Sequence, residues 1–286
     1  MTAEEAIKAS QVDEALAILR DQVRKAPADP KLRRFLFQLQ CVIGEWEKAL
    51  TQLQVLSEMD MESSLLAEVF RTVVGCEMVR ADVFKGNRTP LIFGEPAEWI
   101  GWIVQANQLT AGGHFQQARE LLDKALEAAP TTSGTINGAP FAWIADADSR
   151  LGPVLEAILD GKYHWVPFDR IVKIEIEPPT DLRNLVWVSA KFTWTNGGES
   201  AGLIPVRYPG TESNPDGALR LSRKTDWVEK PEGYYFGLGQ KTFSTDEQDF
   251  SLLEVRSIEL ASPLVEPPAP AEPAAPAEAA APAEPV

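Results

Sequence analysis

The densest cluster of side chains able to do chemistry is the run DADSR, Asp146 to Arg150. Two carboxylates two positions apart can share a cation or divide the work of an acid and a base. The same residues can also open a helix. Asp148 or Ser149 would cap its first turn, and the carboxylates would favour its positive end. The run lacks the glycine and the distal glutamate of a calcium loop, so the cap outweighs the metal site. In GESAGLIP, Ser200 is followed by Ala201 and Gly202, so the nucleophile-elbow pattern fails. GLG at 237–239 lacks a third glycine and a following helix, and so is no dinucleotide fingerprint. His164 sits between Tyr163 and Trp165 in a strand-like run and reads as a packed or surface histidine rather than a base. Trp187, Trp194 and Trp227 also fall on strands and read as core. Cys41 and Cys76 lie among apolar residues in predicted helices and read as buried free thiols. No Cys or His pair has zinc-ligand spacing. These residues point to no catalytic group, no cofactor and no metal.

Composition narrows the remaining classes. The chain has 286 residues, of which 44% are hydrophobic and 24% charged, an ordinary globular balance. Its net charge is −15. Glu266, Glu272, Glu278 and Glu284 belong to a low-complexity tail, which leaves about −11 on the body, a charge that repels phosphate backbones and anionic lipid. Neither nucleic acid nor membrane is an expected partner, although Lys31, Arg33 and Arg34 form a small basic patch. The start MTAEEAIKAS is not a secretory signal, and no apolar run approaches the ~18 residues of a membrane span. A soluble cytoplasmic protein is expected.

The elements that carry these residues show an internal repeat. QVDEAL at 11–16 and EWEKAL at 45–50 place Ala15 and Ala49 34 positions apart, the tetratricopeptide period. HFQQAREL supplies a third copy around Ala118. Five positions before each alanine stand Ser10, Gly44 and Gly113, which suit the tight turn of a helical hairpin. Three before stand Val12, Trp46 and Phe115, to fill the space between helices. Twelve after stand Pro27 and Pro130, with Met61 breaking the pattern. Helices are predicted near 2–9, 11–26, 31–43, 45–59, 63–85, 96–111 and 115–129. One repeat is degenerate, halting at Gly86 and Pro90, and LIFGEP at 91–96 reads as an insertion.

After Pro130 the pattern changes. TTSGTINGAP at 131–140 reads as a turn-rich junction, followed by one helix over roughly 149–160 that Gly161 ends. Strand-like runs then follow at 163–168, 171–177, 185–195, 199–208, 227–230, 234–239, 241–244 and 250–260. The turn NGG joins two of them as a hairpin. The expected architecture is α+β. A tetratricopeptide-like domain over 1–130 precedes a mostly antiparallel open barrel or rolled sheet with one leading helix over 131–261. A disordered Pro/Ala/Glu tail covers 262–286.

The text GTINGAPFAWIADADSRLGPVLEAILDGKYHWVPFDRI, with IEPPTDLRNLVW and FTWTNGGESAGLIPVRYPGTE, resembles the ImpE family, also called TagJ or SciE. The block from AEEAIKASQVDEAL to EWEKALTQL resembles it as well, and only the tail falls outside. The resemblance implies a cytoplasmic, virulence-associated accessory of bacterial type VI secretion that associates with the contractile sheath. Some members bind the small, TssB-type sheath subunit and are linked to the ClpV unfoldase that recycles contracted sheath. The family has no established catalytic residues to carry over.

The leading expectation is a non-catalytic adaptor whose hairpin array offers a concave groove to a helix or extended peptide. An acidic body favours a basic or amphipathic helix. The groove is expected on the first helices of the hairpins, around 31–43 and 96–111, with Arg33, Arg34, Gln38 and Gln40 as contacts. A scaffold subunit of the apparatus is one alternative. An enzyme sited at Asp146, Asp148 and Arg150 is the other. Oligomeric state stays open.

Overall fold

The computed structural model describes residues 1–262, and the expected tail beyond Ser262 lies outside the described residues. Seven helices lead: α1 Ala3–Lys8, α2 Val12–Lys25, α3 Pro30–Val42, α4 Trp46–Leu56, α5 Met61–Phe84, α6 Glu98–Ala111 and α7 Phe115–Ala128. They pair as hairpins α1–α2, α3–α4 and α6–α7, with α5 standing between. The repeat positions do what their chemistry requires. Ser10, Gly44 and Gly113 all hold positive φ, at 61°, 71° and 80°, which turns one helix directly into the next. Ala15, Ala49 and Ala118 are fully buried, so the paired helices touch at a methyl. Helix starts are capped by side chains. Thr2 and Glu5 form a reciprocal capping box, and Asp29 and Asp60 accept from backbone amides at the heads of α3 and α5.

The degenerate repeat has a structural explanation. Where its second helix should follow α5, the chain instead forms β1, Leu91–Ile92. The LIFGEP insertion is thus an edge strand lent by the helical half to the sheet.

The remaining strands are β2 Gly134–Ile136, β3 Ala139–Phe141, β4 Ile144–Asp146, β5 Val154–Leu159, β6 Lys162–Pro167, β7 Ile171–Ile176, β8 Trp187–Trp194, β9 Glu199–Pro205, β10 Thr225–Lys230, β11 Tyr234–Gly239, β12 Thr242–Thr245, β13 Asp249–Ser251 and β14 Ser257–Leu260. The short helix α8, Gly217–Arg220, interrupts them. Nine strands form an open sheet in the order β1-β6-β5-β9-β8-β7-β14-β2-β3. Pairing is antiparallel except for β1 on β6, where Leu91 faces His164. A three-stranded sheet β13-β12-β4 and the ribbon β10-β11 complete the β half.

The expected helix over 149–160 does not exist. VLEAIL is strand β5, buried at every position. An apolar run covered on both faces has no period-2 signature, so periodicity alone cannot separate it from a buried helix. Gly161 ends no helix. Asp160 and Gly161, at φ 48° and 69°, form the two-residue turn that joins β5 to β6. The junction 131–140 likewise contains a hairpin, with Asn137 and Gly138 at φ 51° and 83° between β2 and β3. The single strand expected over 250–260 is broken by a 3-10 turn at Leu252–Glu254. Trp187 and Trp194 are core as expected, but Trp227 is 37% exposed. Its strand β10 pairs only with β11 and lies outside the main sheet.

The two halves share one core. Phe37, Phe70 and Trp187 pack in series, with ring centroids 5.9 and 5.8 Å apart, and Trp46 meets Trp187 at 6.0 Å. Trp46 and Phe115 therefore reach beyond their own hairpins, since Phe115 also meets Tyr234 of β11 at 5.9 Å. The opposite face of the sheet holds a second core around Phe168, Phe192 and Phe243.

Arginines from the β half finish the helices. Arg207 donates to the carbonyls of Val42 and Cys41 at the end of α3. Arg223 donates to the carbonyls of Ile7 and Lys8 at the end of α1. Both supply positive charge and donors where a helix leaves unpaired carbonyls. Arg220 grips Asp13 of α2 with two bonds of 2.9 and 2.8 Å.

Replacing Arg207 with alanine should cost about 2–3 kcal/mol, the loss of charge-assisted bonds to buried carbonyls, read as a lower urea midpoint. Arg207→Lys should recover only part of it, because an ammonium cannot span the same set of acceptors.

Candidate functional site

Asp146 ends β4, and Asp148 and Arg150 occupy the bend between β4 and β5. No helix follows, so Asp148 and Ser149 cap none. Asp148 instead turns its carboxylate inward. It holds Arg150 by two bonds of 2.8 and 2.6 Å and accepts the Gly237 amide of β11 at 2.8 Å. The Arg150 guanidinium lies between the rings of Phe84 and Phe236, at 4.8 and 4.2 Å. Asp146 receives the Lys241 ammonium at 2.7 Å.

Lys241 leads to the centre of the network. Its side chain is fully buried and also reaches Glu156 of β5 at 2.6 Å. Glu156 is fully buried as well. It takes Arg80 of α5 through two bonds of 2.6 and 2.9 Å, and the Tyr163 hydroxyl donates to the same carboxylate. Arg80 continues to the Arg207 carbonyl at 2.7 Å. Next to it, Glu77 accepts the Trp187 indole at 2.7 Å. One helix and three segments of the β half thus meet on a single carboxylate.

The electrostatics follow from this geometry. Burial alone would raise the Glu156 carboxyl, but Arg80 and Lys241 beside it hold it well below the usual carboxylate range. Burial opposes the charge on Lys241 too, and its two carboxylate partners still raise its pKa. Asp146 moves up, because burial and the nearby Asp148 outweigh its single ammonium. General acid–base work needs a proton-exchanging group within reach of a substrate. Asp146, Asp148 and Glu156 direct their bonds into the protein. The crevice above them, about 400 Å³, offers the exposed Trp143 and Leu126 and the Thr132 and Ser149 side chains at its walls.

Other singled-out residues also have structural roles. His164 faces the edge of Phe93 on the strand beside β1, and burial lowers its pKa. Both cysteines are free and buried. Burial raises Cys41 well above the ordinary thiol value and pushes Cys76 up to about 11. Among the described residues, no group of His, Cys, Asp or Glu is arranged to hold a metal ion. No described helix is long and apolar enough to cross a membrane.

Of the four expected partner contacts, two are buried and two bond within the chain. Gln38 and Gln40 are buried and present no side chain outward. Arg33 donates to the Pro27 carbonyl and to Gln52, and Arg34 pairs with Glu62 at 2.9 Å. The concave groove was expected around 31–43 and 96–111; of that stretch, the C-terminal end of α3 is covered by the β half through Arg207 and the Leu182–Leu185 turn. The array holds its own sheet there, because the aromatic series of the core needs that face.

An open surface lies elsewhere. Met61, Leu65 and Val69 form an i, i+4, i+8 stripe on α5 and are 82%, 62% and 55% exposed. The stripe runs into a groove of about 1280 Å³ between α5 and the β7–β8–β9 part of the sheet. The signal was present in the sequence. α5 carries apolar residues on two sides, with Ala67, Phe70 and Val73 buried and the stripe exposed beside Glu68 and Thr72. A helix apolar on more than one side has more than one face to cover.

Comparison with known proteins covers most of the chain. Residues 138–259 match the ImpE protein family, and residues 6–69 match the tetratricopeptide repeat. The chain is 44% identical over 259 residues to a Pseudomonas aeruginosa protein described as the type VI secretion system accessory component TagJ, with 91% of each chain covered. A Vibrio parahaemolyticus protein solved by X-ray crystallography superposes with a TM-score of 0.83 at 27% identity. That match covers 90% of this chain and 97% of the other.

Two outcomes test the buried network. Lys241→Met leaves two carboxylates buried without their shared cation and should cost about 3–5 kcal/mol in urea unfolding. The unfolded chain protonates Glu156 near pH ~4.3, whereas the folded chain keeps it ionised to lower pH. The stability it contributes is therefore fully present above that value, begins to be lost as pH falls below it, and is gone only once pH passes the lower pKa of the folded state. Between pH 5 and 3 the wild-type midpoint should drop more steeply than that of Glu156→Gln. Parallel slopes would remove Glu156 from this role.

Proposed function

This chain belongs to the ImpE family, which includes the type VI secretion accessory component TagJ, and from that premise we propose that it is a non-catalytic adaptor of the secretion apparatus. It works in the cytoplasm, binds the small, TssB-type sheath subunit, and acts alongside the ClpV unfoldase that recycles contracted sheath. The observation that carries the reading is the α5 stripe. Three large apolar side chains stand in solvent on one line of a helix whose other exposed positions are mostly charged or polar. A contiguous exposed apolar surface of this kind marks a protein partner. The titratable groups of the interdomain junction support the same reading, since they are spent on holding the two halves together. We place docking on α5 rather than on the stretches 31–43 and 96–111.

The reading is tested by capture of purified TssB-type subunit on immobilised full chain. Wild type should retain the subunit. Leu65→Asp with Val69→Asp should weaken retention at least about tenfold while leaving the melting temperature within roughly a degree or two, because both positions are exposed. Failure of correctly folded wild type to retain any sheath subunit would sink the proposal.

A further inference from the structure

Strand β14 hands the chain to the crevice beside Trp143. It runs antiparallel to β2, with Glu259 opposite Thr135 and Leu260 opposite Gly134. The Ala261 amide then donates to the Ser133 carbonyl at 2.8 Å. Gly134 permits this close approach, because a Cβ there would collide with the Glu259 carbonyl. The register sets Ser262 opposite Thr132. In an antiparallel pair the departing chain runs against the order of β2, from Thr132 back toward Thr131, Pro130 and the end of α7. Those three residues line the crevice of about 400 Å³.

The crevice also holds Trp143 and Leu126, which are 40% and 44% exposed. Trp143 is a fixed platform. The Asp246 carboxylate accepts the Ala142 and Trp143 amides at 2.6 and 3.4 Å and so holds the loop between β3 and β4. The indoles of Trp165, Trp187 and Trp194 donate to Tyr163, Glu77 and Ser200. The Trp143 indole has no such acceptor among the described residues. Leu126 rests on Gly152, where a Cβ would stand 3.2 Å from its Cδ2. Asp146 and Asp148 line the crevice too, but Lys241 and Arg150 take their carboxylates. Arg119 stands at the wall, bonded to Asp123 at 2.8 Å and 41% exposed. What the opening offers is an aromatic ring with a free donor, an aliphatic side chain and a cation.

We infer that this crevice seats the chain's own proline-rich C-terminal segment, residues 263–270, PLVEPPAP, across Trp143 and Leu126. The inference is independent of the adaptor reading. Three arguments fix the occupant. The first is position, since Ser262 already lies beside Thr132 and the next residue starts at the crevice wall. The second is chemistry. Proline-rich segments favour the polyproline II form before they bind, so docking costs them little order, and aromatic-lined grooves are the surfaces they take. That form leaves its carbonyls without internal partners, and a carbonyl is what the Trp143 indole lacks. Leu264 and Val265 bring apolar side chains, and Glu266 brings a carboxylate for Arg119. The third is the tether. For a segment that starts at its own site the effective concentration is on the order of millimolar, so a contact with a Kd of ~0.1 mM would be about nine-tenths occupied. At about 3.1 Å per residue, residues 263–270 span about 25 Å. The segment covers in cis an apolar surface that would otherwise offer a second docking point.

The test is paramagnetic broadening of amide signals in the full chain. Ala269→Cys carries a nitroxide label, and the buried Cys41 and Cys76 leave the wild-type chain unlabelled as a control. The label should broaden Ser149 and Ser244, which line the crevice from other segments. Trp143→Ala should reduce that broadening at least about threefold, and so should Pro267→Ser with Pro268→Ser and Pro270→Ser. Trp143 is exposed, so its variant should keep the melting temperature within roughly a degree or two. The proline variants leave the folded body untouched. Tethering alone brings the label near Thr131. Broadening confined to Thr131 and Thr132, or equally strong in both variants, would therefore overturn the inference. A last sample mixes spin-labelled chain of natural isotopes with isotope-enriched chain that carries no label. Ser149 and Ser244 should stay sharp there, and broadening would give the crevice to the tail of a second copy and overturn docking in cis.

Discussion

Glu156 is buried in the middle of a sheet strand, and its carboxylate can remain charged only if cations reach it from both sides. Arg80 comes from the helical half and Lys241 from the far end of the β half. Removing either would leave a charge in a low-dielectric interior, which costs more than any single surface contact could restore. Around this constraint the rest is arranged. Lys241 needs Asp146, Arg80 positions itself beside Glu77, and Trp187 uses Glu77 as its acceptor while joining the aromatic series to α3 and α4. The charged run that first suggests chemistry is the outer part of this arrangement.

The same requirement explains where the array can and cannot meet another protein. Tetratricopeptide-like hairpins curve, and the inner face of such a curve is its usual binding surface. Here that face is committed to the chain's own sheet, with arginines of the β half finishing α1 and α3. What remains free is the outer line of the one helix that lacks a hairpin partner. α5 has lost its companion helix to β1, and the stripe Met61, Leu65 and Val69 is the apolar surface left over.

Much of the helical half was legible because tetratricopeptide chemistry is local. A positive φ at Ser10, Gly44 and Gly113 and a methyl at Ala15, Ala49 and Ala118 are set by neighbours a few positions away. The β half was legible wherever one strand face met solvent, as in β7 and β8. It failed at VLEAIL, where both faces are covered and alternation vanishes. The Asp160–Gly161 and Asn137–Gly138 pairs carry the hairpin signals there, but in sequence the same residues suit a helix end or a junction equally well. The burial of Gln38 and Gln40 is hidden for a different reason. Nothing near them in the chain states that Trp187 and Arg207, well over a hundred positions away, will close over that helix. The charge network was unreadable for the same reason, since Arg80, Glu156 and Lys241 are brought together only by the fold.

Strand β1 carries a consequence for how the chain is made. Leu91 and Ile92 belong to the helical half in order of synthesis, yet among the described residues their strand partner is β6, some 70 residues later. At about 5–20 residues per second, the ribosome leaves that edge unpaired for several seconds to well over ten. The first half therefore emerges with an unfilled commitment and cannot be finished as an independent module. Gene fusion or recombination that separated the two halves at the obvious boundary after α7 would strand Leu91, Arg80 and the end of α3 together.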